Sequence, residues 1–136
     1  MDFTGQIAPF SYLVHEDGIA SVTMYTDHGY KKNLFETRGK EGFVGSGYDW
    51  ESLAQVFIQE KARDLLEKLD FDSEHLCFVV YSYDKDALRR FVLLFKEACE
   101  DDNLIADIFS RTSPQEPITA EDMKSVLDMI MGRNTK

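Results

Sequence analysis

His75-Leu76-Cys77-Phe78-Val79-Val80-Tyr81-Ser82 is the stretch on which the fold turns. Side chains alternate across an extended chain, so Leu76, Phe78 and Val80 share one face and Cys77, Val79 and Tyr81 the other. Both sets are apolar, which predicts an interior strand covered on both faces. Immediately afterwards the period changes. Leu88, Phe91, Val92, Phe95 and Cys99 recur at helical spacing, predicting a helix over about 84–100. Asp84 and Asp86 lie at its positive N-terminal end, where acids are favoured. A strand feeding an amphipathic helix implies a sheet with helices packed against it.

Towards the N-terminus, Phe10, Tyr12 and Val14 alternate with Ser11 and Leu13, a short strand. His15-Glu16-Asp17-Gly18 reads as a hairpin connection, and 19–26, rich in β-branched and aromatic residues, as the returning strand. A third strand is expected over 32–37, with Leu34 and Phe35 as its apolar content. Seven of the eight glycines precede residue 50, so the first third should be strands and turns and the remainder mainly helix. Trp50, Leu53, Ala54, Phe57, Ala62, Leu65 and Leu69 extend a helical stripe from Asp49, the expected N-cap. A short helix is expected over about 102–109. After Pro114 and Pro117, Thr119 and Asp122 nearly form a capping box, Ile118 and Met123 suit a hydrophobic staple, and Gly132 ends a last helix carrying Val126, Leu127 and Ile130. The expectation is one α+β domain over 1–136, with a mainly antiparallel sheet and helices packed against it.

Composition narrows the function classes. Ten Phe, six Tyr and one Trp among 136 residues supply ample surface to bury, which excludes disorder throughout. No window approaches the roughly 18 apolar residues of a spanning helix, so no membrane partner is expected. No basic segment followed by an apolar run opens the chain, so no secretory signal is expected. Fifteen basic residues against 25 acidic give a net charge of −10. Such a field repels phosphate backbones, so direct nucleic-acid binding is not expected, whereas a basic protein would be attracted and steered. Solubility alone also accounts for the acidity. Cys77 and Cys99 match no disulfide framework or zinc spacing and read as buried small hydrophobes in a reducing, cytoplasmic setting.

Two loops carry the candidate chemistry. Gly45-Ser46-Gly47-Tyr48-Asp49-Trp50 is a glycine-rich turn entering a helix, a place where anions bind. It lacks the spacing and lysine of phosphate-binding loops, and Asp49 would repel a phosphate. A structural cap, or a recognition loop presenting Tyr48, remains. Asp70, Asp72, Glu74 and His75 cluster before the central strand. They offer oxygen and nitrogen ligands or paired carboxylates, but no second histidine at ligand spacing, so a turn or a partner contact is the simpler reading. His15 and His28 read as solvated loop residues, and neither Ser46 nor Ser82 sits in G-x-S-x-G. Glu97, Glu100, Asp101 and Asp102 crowd a helix C-terminus, where acids oppose the dipole. That small local cost points to interaction, beside the reading as a solvated junction. No catalytic residue, cofactor or metal is expected.

An ordered set of segments resembles the immunity protein 51 family of bacterial polymorphic toxin systems. It comprises Leu34-Phe35-Glu36-Thr37-Arg38-Gly39, Gly45-Ser46-Gly47-Tyr48-Asp49-Trp50-Glu51, Phe71-Asp72-Ser73-Glu74, Val80-Tyr81-Ser82, Asp86-Ala87-Leu88 leading to Phe95-Lys96, and Asp107-Ile108-Phe109-Ser110-Arg111. These span about 34–111. His75-Leu76-Cys77 departs from the smaller residues of the family at that place. The resemblance implies a small cytoplasmic α+β protein that binds and neutralises a cognate toxin, often a nuclease, by occluding its active site or substrate path. It implies no enzymatic role. Candidate partner contacts are Tyr48, Asp49, Asp72, Glu74, Glu97, Glu100, Asp101 and Asp102, and the toxin is expected to be basic. Two other classes fit the same residues. One is a small-molecule-binding or enzymatic domain with its site at the Tyr48/Asp49 and Asp72/Glu74 loops; the other is an interaction module without a toxin.

Overall fold

The structure, a computed structural model, describes residues 2–114. The helix expected over 119–132 lies outside the described residues. The chain opens with α1 (Phe3–Ile7), capped by the Asp2 carboxylate, which accepts the Gly5 amide at 2.9 Å. Strands β1 (Ser11–Val14) and β2 (Ala20–Tyr25) form the expected hairpin. The His15 amide donates to the Ile19 carbonyl at 2.8 Å, and Gly18 takes a φ of +88°, a conformation that costs glycine little. Then follow α2 (Lys32–Glu36), α3 (Gly47–Lys61), β3 (Asp70–Phe71), β4 (Cys77–Ser82), α4 (Lys85–Glu100) and α5 (Asp102–Ser110). The sheet order is β1-β2-β4-β3, antiparallel throughout. This is the expected α+β architecture with an antiparallel sheet.

Strand β4 is interior, between β2 and β3, but one face of the sheet alone is sealed. Ala20, Val22, Met24, Phe78 and Val80 are at most 1% exposed, under α3 and α4. Phe78 meets Trp50 at 6.3 Å and Phe95 at 6.1 Å. Cys77, Val79 and Tyr81 on the other face are half-buried, and Leu76 is 62% exposed. The expectation of cover on both faces is therefore corrected. An antiparallel sheet tolerates one face turned to water, and no described element packs there.

Three further boundaries differ from expectation. Residues 32–36 form a helical turn, not a strand. Lys-Asn-Leu-Phe-Glu has no β-branched residue, and a single turn delivers Phe35 (0% exposed) onto Trp50, Phe43 and Phe109. With α1, this puts two short helices into the glycine-rich third. Helix α3 is capped by Ser46, with Asp49 at the third helical position of a capping box. The helix stops at Lys61, well before Leu69. Ala62, Leu65 and Leu69 stay buried, but through a 3-10 turn at Arg63–Leu65 that swings the chain into β3. The Ser82 hydroxyl fixes that return by donating to the Lys68 carbonyl at 2.6 Å.

Arg38 ties the loop after α2 to the end of α5. Its guanidinium donates to the Phe109 and Thr112 carbonyls and to Glu41, and lies over the Phe43 and Phe109 rings at 4.8 and 4.9 Å. A planar cation on two aromatic faces, with its donors filled, is a pairing that lysine reproduces poorly.

Candidate partner-binding surface

At one end of the molecule β2 finishes, β4 starts, α3 starts, α4 finishes and α5 starts. Most of the candidate residues gather there. The Ser46 hydroxyl accepts the Asp49 amide at 3.2 Å. Asp49 Oδ2 in turn accepts the amides of Val44 (2.8 Å), Gly45 (2.8 Å) and Ser46 (3.2 Å). Asp49 is 3% exposed, so its carboxylate occupies the place an anion would take at the helix start. Tyr48 beside it is 40% exposed.

The loop between β3 and β4 lies directly on this helix start. The Gly47 amide donates to the His75 carbonyl at 2.7 Å, and the Ser73 amide to Glu51 Oε1 at 3.3 Å. Asp72 and Glu74 are thereby held exposed beside Tyr48. Thus the pair Tyr48 and Asp49 and the pair Asp72 and Glu74, more than twenty residues apart in sequence, form one corner. Leu76 is pulled to the same corner by the Thr26 amide, which donates to its carbonyl at 2.9 Å.

The segment from Gly29 to Lys32 joins this corner to the acidic cluster. Two shallow cavities, of about 280 and 600 Å³, share Gly29, Tyr30 and Lys32. Val44, His75 and Leu76 line the first, Glu100 and Asp102 the second. Tyr30 stacks on Trp50 at 5.8 Å and donates to Glu100 Oε2 at 2.6 Å. Burial, then the bond to Glu100, push its phenol well above the ordinary range. Lys96 pairs with Glu100 at 3.3 Å. Lys31 pairs with Asp102 at 3.0 Å and holds a φ of +55°, an uncommon conformation for a residue with a side chain. Asp101 caps α5 by accepting the Leu104 amide at 3.1 Å. Glu97 and Asp101 border a separate cavity of about 220 Å³ against α3. The acidic cluster is therefore largely engaged within the fold. Among the described residues, no group of three His, Cys, Asp or Glu is arranged to hold a metal ion.

Sequence reasoning missed the apolar part of this surface. Tyr25 (61% exposed), Val44 (65%) and Leu76 (62%) accompany Tyr48 at this end. Val44 sits alone in a glycine-rich loop where no period marks it. Leu76 was hidden in an apolar run that reads as core.

The family model of Immunity protein 51 matches residues 11–114. The chain belongs to the Immunity protein 51 family. The match takes in the whole sheet and α2 to α5, so the fold and this end of it lie within the family's domain. No curated protein and no solved structure matches the chain. Membership of Immunity protein 51 supports an immunity function in general. No helix among the described residues is long and apolar enough to cross a membrane.

Glu100 gives this end a pH dependence. The hydrogen bond from Tyr30, opposed by burial and aided by Lys96, holds its carboxyl below the ordinary value of 4.5. A depressed carboxylate contributes stability above its unfolded value and loses it as pH falls through the folded one. Stability in urea should therefore fall as pH drops below about 4.5, and a Glu100→Gln variant should show a shallower fall. Parallel curves for the two proteins would remove Glu100 from the account. The side chain is half exposed, so screening keeps the contribution small.

Proposed function

We propose that this protein binds a cognate bacterial toxin in the cytoplasm and neutralises it by occlusion, without catalysing a reaction. Membership of the Immunity protein 51 family carries the reading. The end described above suits the task. Tyr25, Val44, Tyr48 and Leu76 offer exposed apolar and aromatic surface, with Asp27, Asp72 and Glu74 around it. Interfaces are built in this way, from apolar and aromatic anchors inside a polar rim. A net charge of −10 favours a basic toxin, such as a nuclease, whose substrate path would be covered by an acidic surface. The competing reading, a small-molecule or catalytic site at the same loops, has weaker support, because Asp49 is spent on three backbone amides.

Co-expression with a candidate toxin drawn from the neighbouring genes tests the proposal. Cells should survive with both genes and die with the toxin alone; death in both cases rejects an immunity role towards that toxin. Binding kinetics then examine the surface. Rim charges act mainly on association, so an Asp72→Lys, Glu74→Lys double variant should associate about 10-fold more slowly at low salt and show a flatter salt dependence. Tyr48→Ala should raise the dissociation rate about 30-fold, the scale of an interface anchor. Association insensitive to salt and to the double variant would reduce the acidity to a solubility device.

A further inference from the structure

We infer that the water-facing side of the sheet is the main docking face for the toxin, a protein presenting a basic surface. The inference rests on the immunity reading above and assigns that function a place and a partner chemistry.

Register decides which residues share this face. Thr23 lies opposite Val79, Tyr25 opposite Cys77, and Leu13 opposite Ser21, which in turn lies opposite Tyr81. Leu13 is 59% and Tyr25 61% exposed. Val79, Tyr81 and Cys77 are half-buried by their neighbours, and no described element packs over them. An antiparallel sheet facing only water normally presents polar side chains there. Here aromatic and aliphatic groups alternate with serine and threonine, the mixture of rigid anchors and small polar groups found in interfaces.

The charge pattern chooses the partner. All four strands fall within residues 1–30 and 69–84, and neither stretch contains a lysine or arginine. Together they carry eight acids: Asp2, Glu16, Asp17 and Asp27 in the first, and Asp70, Asp72, Glu74 and Asp84 in the second. Every one of the 15 basic residues belongs to 31–68 or 85–136. The strands therefore carry no cation. Lysine is also the usual guard of an exposed edge strand, and β1, at the edge of the sheet, has none. A basic protein meets no like charge on these strands, and the exposed Asp70, opposite Tyr81 in the register, places an acid on the face itself. Tyr25 sits at the end of β2, next to Leu76 and the Tyr48 corner, so the face continues the surface described above.

The test uses the full chain and the purified toxin from the rescue experiment. Tyr25→Lys and Leu13→Lys each alter an exposed side chain on this face. Gln59→Lys, on the exposed side of α3, adds the same charge elsewhere. With melting temperatures unchanged, each face variant should weaken toxin binding about 100-fold, while Gln59→Lys should bind as the unmodified chain does. Toxin should also slow amide exchange across 20–25 and 77–82. Normal binding by both face variants overturns the docking face and leaves immunity standing. No binding by the unmodified chain overturns both. A dimer of the free chain that Leu13→Lys dissolves assigns the face to a second copy, and exchange protection of 115–136 that Tyr25→Lys releases assigns it to the chain's own C-terminal segment. Either result overturns the proposal.

Discussion

Trp50→Ala should remove about 3–5 kcal/mol of folding stability, enough to leave a domain of ordinary stability close to unfolding. Trp50 is 1% exposed and its neighbours come from five parts of the chain. Its ring lies 5.2 Å from Phe35, 5.8 Å from Tyr30, and 5.9 Å from both Phe10 and Phe95. Phe78 of β4 stands slightly farther away at 6.3 Å. Removing the indole takes away the surface that the loop before β1, the turn before α2, the sheet and α4 all use. Close-packed aromatic rings cannot collapse into such a space without breaking other edge-to-face contacts, so the cavity stays largely open. Urea denaturation of the variant against the parent measures the loss. A value under about 1 kcal/mol would mean that Tyr30 and Phe35 close the gap, and the aromatic cluster would then be looser than its geometry implies.

The same residue shows how far the sequence could be read. Trp50 was legible as core because Leu53, Ala54 and Phe57 repeat its face at helical spacing. The two long strands, α4 and α5 were legible for the same reason: each has enough apolar residues to establish a period. Residues 32–36 hold only Leu34 and Phe35, and two positions cannot separate a period of 2 from one of 3.6. The tertiary need to bury Phe35 decided in favour of a helix. The cap of α3 was present in the sequence as Ser46-Gly47-Tyr48-Asp49, a serine followed three residues later by an acid. Asp49 alone looked sufficient as a cap, which moved the helix start by three residues. The return from α3 to β3 carries no Gly or Pro, so nothing local marks it.

The candidate surface was legible as residues but not as a place. Tyr48 and Asp72 were each conspicuous, yet their meeting depends on the β3–β4 loop lying across a helix start, a non-local contact. The acidic cluster was legible as charge, but its pairing was not. Tyr30 and Lys31 reach Glu100 and Asp102 from a turn some seventy residues earlier, whose own pattern says nothing of acids; the Lys96–Glu100 pair alone is local, four residues apart on α4. Val44 and Leu76, the most exposed aliphatic groups at this end, look like core or loop filler when read one residue at a time.

Gly47→Ala should cost at least about 3 kcal/mol, beyond the usual range for an added methyl, because the methyl would meet backbone. Built onto Gly47, a Cβ stands 1.9 Å from the Glu74 carbonyl oxygen and 2.4 Å from that of Cys77. Its φ is not in the left-handed region, so conformational freedom is not the reason for glycine here; space is. Gly45 makes the contrast, with a φ of +79° and Phe35 at an ordinary 3.7 Å. Its alanine variant should lose about 1 kcal/mol through strain alone. Relief of the Gly47 clash requires the 74–77 loop to lift from α3, breaking the 2.7 Å bond from the Gly47 amide to the His75 carbonyl. Lifting the loop also carries Glu74 and Leu76 away from Tyr48. Toxin affinity should therefore fall in Gly47→Ala even at temperatures where the variant is fully folded, while Gly45→Ala should bind normally once folded. Denaturation curves give the first quantity and titration of the folded variants the second. Full affinity in folded Gly47→Ala would mean that toxin binding does not need the loop and the helix start to be held together.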